Sequence, residues 1–182
     1  MTCEKIILFC LKEKSRNPLE ILEKLMSSPS CPMHGPIHHF LVGASLLTAY
    51  KNAGGELDLP SALKEMYSRS SLVPGGACGN WGACGGAIST GMFVSIVTGA
   101  SPLSMESWGL ANRMTAAALN AIGNVNGPRC CKRDCCLAIL SAVKFCRDNL
   151  GINMESHTVK CSRSAQNKQC IGTRCPFYKT GA

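Results

Sequence analysis

The chain has 182 residues, of which 46% are apolar and only 5% aromatic, with a formal charge of +8 and thirteen cysteines. That length supports one compact domain whose core is built from Leu, Ile, Val, Met and Ala. Lys and Arg are scattered with few aromatics among them, which argues against nucleic-acid binding. An odd cysteine count, two vicinal pairs and an opening segment without signal-peptide character argue against a disulfide framework.

Residues Cys3 to Lys12 are apolar and β-branched enough to predict one short strand. "NPLEILEKLM" opens as a helix, with Asn17 as N-cap, Pro18 at the first helical position and Glu20 three after the cap. Its buried face is Leu19, Leu22, Leu25 and Met26. A second helix starts at Pro36, buries Phe40, Leu41, Ala44, Leu47 and Tyr50, and stops at Gly54-Gly55. A third runs from Asp58 and Pro60 to about Ser71. "AISTGMFVSIVTG" is too short and too rich in small residues to cross a membrane. Ala87, Gly91, Ser95 and Gly99 fall four apart and form a smooth ridge for close approach by another helix, with Ile88, Met92, Ile96 and Val97 on the remaining faces. A further helix spans roughly 104–122 and ends at Gly123; the last runs from about Arg133 to Leu150, with Gly151 as its stop. The expected architecture is mainly α: a helical domain over residues 1–152 and a cysteine-bearing tail over 153–182. The tail is too polar to order itself and is expected to be tied down by metal.

Four segments carry chemistry. "GGACGNWGACGG" repeats Gly-Ala-Cys-Gly around Trp81. Gly79 and Gly85 follow Cys78 and Cys84 and free the backbone to aim N–H groups at a bound sulfur. Cys84 stands at a helix start, where the macrodipole favours a thiolate. "CPMHGPIHH" places Cys31 three before His34 and seven before His38, a spacing compatible with zinc or iron. His39 reads as a partly exposed polar residue. "GPRCCKRDCC" sets Cys130 and Cys131 among Arg129, Lys132 and Arg133, and those positive neighbours predict ionised, reactive sulfurs. Adjacent cysteines point in different directions, so the two need not serve one site. Cys135 and Cys136 read as helix core, as do Cys3, Cys10 and Cys146. In the tail, Cys161, Cys170 and Cys175 are spaced nine and five apart, and Cys175 precedes a proline, as is common at iron–sulfur ligands.

The ordered motifs "CPMHGPIHH", "VPGGACGNWGACGGA", "GASPLS", "NGPRCCKRD" and "NKQCIGTRCPF" resemble a cysteine-rich domain family of unassigned function. That family occurs in anaerobic bacteria and archaea, alone or joined to SAM-dependent methyltransferase domains. The resemblance covers about 31–178 and implies a methyltransferase or redox partner as a separate protein. Cys-Gly-Asn followed by an aromatic residue, a glycine and a small-residue helix is similar to a segment of iron–sulfur serine dehydratases and cysteine desulfidases, where an open iron site acts as a Lewis acid.

Three functions follow for a cytoplasmic protein whose enzymatic status stays open. The first is an iron–sulfur protein, most simply with a four-iron cluster, used in sulfur or electron transfer or Lewis-acid activation. Its ligands come from Cys31, His34, His38, Cys78, Cys84, Cys130, Cys131, Cys161, Cys170 and Cys175. Gly79, Trp81, Gly85 and Lys132 surround the cofactor. The second is a zinc-stapled interaction module using the same thiols. The third is a metal-free thiol carrier in which Arg129 and Lys132 activate Cys130 or Cys131 to hold a persulfide or methyl group. Soft sulfur donors outnumber histidine, which favours soft metals. Eight thiolates in two four-cysteine sites around dipositive cores would lower the net charge to about +4.

Overall fold

The computed structural model describes residues 2–179. Among these the chain is all-helical, without a strand. The order is α1 (Cys3–Lys12), α2 (Pro18–Met26), α3 (Ile37–Asn52), α4 (Leu59–Ser71), α5 (Ala77–Asn80), α6 (Gly85–Thr98), α7 (Glu106–Gly123) and α8 (Cys131–Leu150). Two 3-10 turns follow, at Ser164–Gln166 and Gly172–Arg174.

The expected N-terminal strand is instead α1. A strand would put Ile6, Leu8 and Cys10 on one face. Ile6 and Cys10 are fully buried, whereas Leu8 is 57% exposed, the pattern of one helical turn. Among the described residues there is no second strand to take the backbone N–H and C=O groups, and a helix satisfies them internally. Glu4 in the first turn and Lys12 in the last suit the macrodipole.

α2 begins as its sequence predicts. Asn17 Oδ1 accepts hydrogen bonds from the Leu19 N–H (3.0 Å) and the Glu20 N–H (3.4 Å), and Pro18 opens the helix. α3 is the hub: Phe40 to Tyr50 is buried without a break, and the helix packs against α1, α2, α4, α6 and α8. A hub buried all round carries no single apolar stripe, so packing rather than patterning fixes its orientation. Its crossing with α4 is so close that a Cβ on Gly43 would overlap the Met66 side chain.

The small-residue ridge of α6 does meet another helix. A Cβ at Gly91 would overlap the Thr115 hydroxyl of α7 and come within 2.9 Å of the Ala111 carbonyl oxygen. Phe93 and Val94 point into the core, and Ile88, Met92, Ile96 and Val97 are half-buried around the outside. α8 starts at Cys131, two residues earlier than expected, and Gly151 in the left-handed conformation (φ 67°) ends it as predicted.

The tail lacks regular helices but is anchored by its own side chains. Met154 and Phe177 are buried in the core cluster. The Glu155 N–H donates to the Arg16 carbonyl (3.0 Å), and the Cys161 N–H to the Phe177 carbonyl (2.7 Å). Arg163 grips Glu23 of α2 with both terminal nitrogens, at 2.7 and 3.0 Å. These contacts hold the tail across α2 and the start of α8. Among the described residues no helix is long and apolar enough to cross a membrane.

Candidate functional site

The first turn of α8 sorts the cysteines. Successive helical residues point about 100° apart, so the vicinal pair divides between two cavities. Cys130, the N-cap, lines one together with Cys161, Cys170 and Cys175 of the tail and Cys136. Cys131 lines the other together with Cys78, Cys84 and Cys135. Cys131 and Cys135 stand one turn apart on the same face of α8. Among the described residues, the ten predicted ligands do not share a single centre.

In the tail cavity the sulfurs are surrounded by N–H groups. The Arg163 N–H donates to Cys161 Sγ at 3.4 Å, and the Gly172 N–H to Cys170 Sγ at 3.4 Å. The Phe177 N–H acts on Cys175, and those of Arg133 and Lys132 on Cys130. In each case a donor lies two residues after its cysteine, a local loop that turns the backbone onto the sulfur. Gly172 achieves it in the left-handed conformation (φ 57°), and Pro176 withholds an N–H immediately after Cys175. Asn167 Nδ2 adds a donor to Cys130 Sγ at 3.5 Å while its Oδ1 meets His34 Nε2 at 3.2 Å. Arg133 also lines this cavity. Its side chain is buried, its Nε pairs with Asp134 (2.9 Å), and its Nη1 is buried without a partner.

The glycine cavity is roomier, about 290 Å³ against about 40 Å³. Its floor is the repeated Gly-Ala-Cys-Gly. Positive φ falls at Gly76 (87°) and Gly82 (64°), each two residues before its cysteine, rather than at Gly79 and Gly85 after it. Gly85 instead makes room for a neighbour, since a Cβ there would overlap the His39 ring. Cys84 is the N-cap position of α6 without a side-chain hydrogen bond to the helix; the nearby Gly86 and Ala87 N–H groups favour its thiolate, as that of Gly35 does at Cys131. His34, His38, His39 and Arg129 complete the wall. The Nδ1 atoms of His34 and His39 are buried without a partner. Gly79 borders the adjoining cleft with Arg129, and Trp81 is 62% exposed on the outer side of the loop.

Cys31 stands apart from both quartets. Lys132 Nζ donates to its Sγ at 3.1 Å, and His38 Nε2 lies 4.0 Å away. His38 Nδ1 donates to the Gly35 carbonyl at 3.0 Å, leaving Nε2 unprotonated on the sulfur side.

The expectation of ionised thiols in "GPRCCKRDCC" is corrected by burial. Desolvation, ahead of every other influence, pushes Cys130 and Cys131 above the usual thiol range. It takes Cys84 up to about 11, helped by Asp134, against the N–H groups at the start of α6. The helix start acts in the predicted direction, and burial outweighs it. Neutral buried thiols are poor nucleophiles, which weakens a metal-free role for Cys130 and Cys131.

Cys135 and Cys136 are buried, as expected of core thiols, and burial holds Cys136 at about 12. Each nevertheless forms part of a cavity wall, a placement consistent with the one-turn spacing of Cys131 and Cys135. Asn167, which links His34 to Cys130, is absent from the sequence-based set, since nothing in an isolated tail asparagine signals it.

Neither quartet clasps a single ion. Among the described residues no three or more His, Cys, Asp or Glu side chains converge tightly enough for that. The tail quartet instead edges a shared cavity, with N–H donors near its sulfurs and a buried guanidinium nitrogen of Arg133 that lacks an acceptor.

No curated protein and no solved structure matches the chain. A family model described as a family of unknown function, DUF5714, matches residues 6–178, and the chain therefore belongs to that family.

Proposed function

We propose that the protein is a cytoplasmic iron–sulfur protein with a four-iron cluster in the tail cavity, ligated by Cys130, Cys161, Cys170 and Cys175. One observation carries the reading: Cys161 and Cys170 accept backbone N–H groups from two residues downstream, Cys130 accepts from Asn167 Nδ2, and the nearby Phe177 and Lys132 N–H groups favour the thiolates of Cys175 and Cys130. Such donors stabilise a thiolate, and metal binding deprotonates a coordinating thiol outright. Cys10 and Cys146, buried in the core, differ: burial dominates both and raises them to about 11 and 12 without a backbone donor to oppose it. The unpartnered Arg133 Nη1 supports an anionic occupant, since a buried donor left alone costs about 1–3 kcal/mol. When bound, such a cluster supplies one-electron transfer or a Lewis-acidic iron. The chain's own contribution is to hold the thiolates and aim N–H groups at them, three of the four half-buried and Cys170 open to solvent.

The glycine cavity supports a second, mixed site on other grounds, its four lining cysteines and the unpartnered Nδ1 atoms of His34 and His39. Cys78, Cys84, Cys131 and His34 line it as sulfur and nitrogen donors of the kind soft metals take, set too far apart for one ion and placed instead around a larger group. An incomplete thiol set leaves a position open for a small substrate. That favours sulfur transfer or Lewis-acid activation over electron transfer alone. The resemblance to domains joined to SAM-dependent methyltransferases in anaerobes favours such an enzyme, or a redox protein, as partner. Thirteen free thiols suit a reducing compartment.

Anaerobic isolation followed by iron, zinc and acid-labile sulfide analysis tests the reading. The expected product is brown, with iron and sulfide in equal amounts. Colourless protein with stoichiometric zinc overturns it in favour of a structural staple.

A further inference from the structure

Cys31, Lys132 and His38 form a third sulfur site that neither quartet uses. Lys132 is 5% exposed, yet its ammonium donates to a sulfur rather than a carboxylate. Among the described residues no ion pair involves it. A buried ammonium without a counter-charge is costly, and a thiolate at 3.1 Å supplies one. His38 is 1% exposed and turns a lone pair toward the same sulfur, fixed by its Nδ1 bond to Gly35. Cys31 itself is half-buried and opens to a groove lined by Ser27, Ser28, Ser162, Arg163 and Gln166. Small hydroxyls and amides edge that groove, with Arg163 already held by Glu23, which leaves room for a small polar reactant beside the sulfur. Lys132, Arg163 and Met33 border the tail cavity as well, so the groove and that cavity share a wall.

We propose that Cys31 is a nucleophilic thiolate that accepts sulfane sulfur from a low-molecular-weight persulfide. Cys31 Sγ attacks the outer sulfur of R–S–SH. A bond forms between the two sulfurs, the R–S bond to the outer sulfur breaks, and R–S⁻ leaves with that bonding pair. The proton of the donor stays on the transferred sulfur. Electrons and atoms balance without an added oxidant or reductant. Lys132 holds the thiolate before transfer and the persulfide anion after its proton is lost. That proton passes to water through the groove on which Cys31 opens. The site stands on its own geometry and does not require a metal in either quartet.

The test uses the full chain, isolated anaerobically. Limiting iodoacetamide followed by peptide mass spectrometry should modify Cys31 first. Glutathione persulfide should add the mass of one sulfur atom to the peptide carrying Cys31, reversibly with a reducing thiol. Lys132→Gln should slow Cys31 alkylation about tenfold or more, and Lys132→Arg should restore much of the rate, because a charge-assisted contact to the thiolate returns. Iron content measured on every variant separates damage to the tail cluster from loss of the thiolate. The proposal is overturned if another cysteine reacts first, if the persulfide leaves Cys31 unmodified, or if Lys132→Gln with unchanged iron alkylates at the original rate.

Discussion

In the tail cavity the sulfurs sit on irregular backbone joined to one helix cap, and three of the four come from a segment held by a few anchors. In the glycine cavity they sit on or beside the starts of α6 and α8 and a single turn, α5, framed by two left-handed glycines. The first is small and crowded with N–H donors to sulfur; the second is several times larger and adds imidazoles with unpartnered nitrogens. The difference separates two roles. On the proposed function, a site closed by a tail would keep an inorganic group, and a preformed chamber with unused donors would admit one that exchanges.

The strongest way to break this comparison is Cys161→Ser. It should abolish iron retention at the tail cavity and expose residues beyond 153 to limited proteolysis, while the glycine cavity keeps its shape by backbone amide exchange. If iron content stays at the wild-type level, the tail quartet is not the cluster site.

The next effect belongs to the glycine cavity. His38 is lowered to about 4, first by burial and then by Lys132. Its ordinary value is about 6.5. Between these two values the unfolded chain binds more protons than the folded one, so stability falls as pH drops through that window and is fully present above it. The loss should approach about 3 kcal/mol near pH 4 by chemical denaturation. His38→Gln should flatten that part of the pH profile; an unchanged profile assigns the acid sensitivity elsewhere.

Gly85→Ala comes third. The added Cβ must displace the His39 ring, an overpacking that costs about 1–3 kcal/mol. Thermal unfolding should register it with the iron of the tail cavity unchanged, and a loss of that iron would show the two cavities are not separable.

The smallest effect is Arg163→Ala. It removes a half-exposed ion pair worth about 1 kcal/mol or less. It should loosen the tail in proteolysis before it moves the melting temperature. A faster loss of iron in chelator competition would sharpen the assignment of the tail as the closing element.

Much of the architecture is legible in the sequence. Asn17-Pro18 announces α2, Gly151 the end of α8, and the four-residue spacing of Ala87, Gly91 and Ser95 the close contact with α7. Local signals of this kind survive folding because caps and small-residue ridges act within a turn or two. The N-terminal segment reads wrongly as a strand because Ile6, Leu8 and Cys10 alternate like one, while the choice between Ile6–Cys10 and Ile6–Leu8–Cys10 as the buried set depends on what α3 offers. The repeated Gly-Ala-Cys-Gly marks a structured frame, yet the glycines that bend are those before the cysteines. Which thiols share a cavity is not legible at all, because it depends on a tail crossing the domain and on the register of α8. The ionisation of the α8 thiols escapes the sequence for a related reason: positive neighbours are visible in a string of letters, and burial is not.

One short stretch of polypeptide separates two chambers. Because Cys130 and Cys131 are consecutive, their carriers cannot move independently; a twist of that turn that draws one sulfur inward swings its neighbour as well. The two chambers thus share a wall one peptide unit thick, at the single turn where α8 begins.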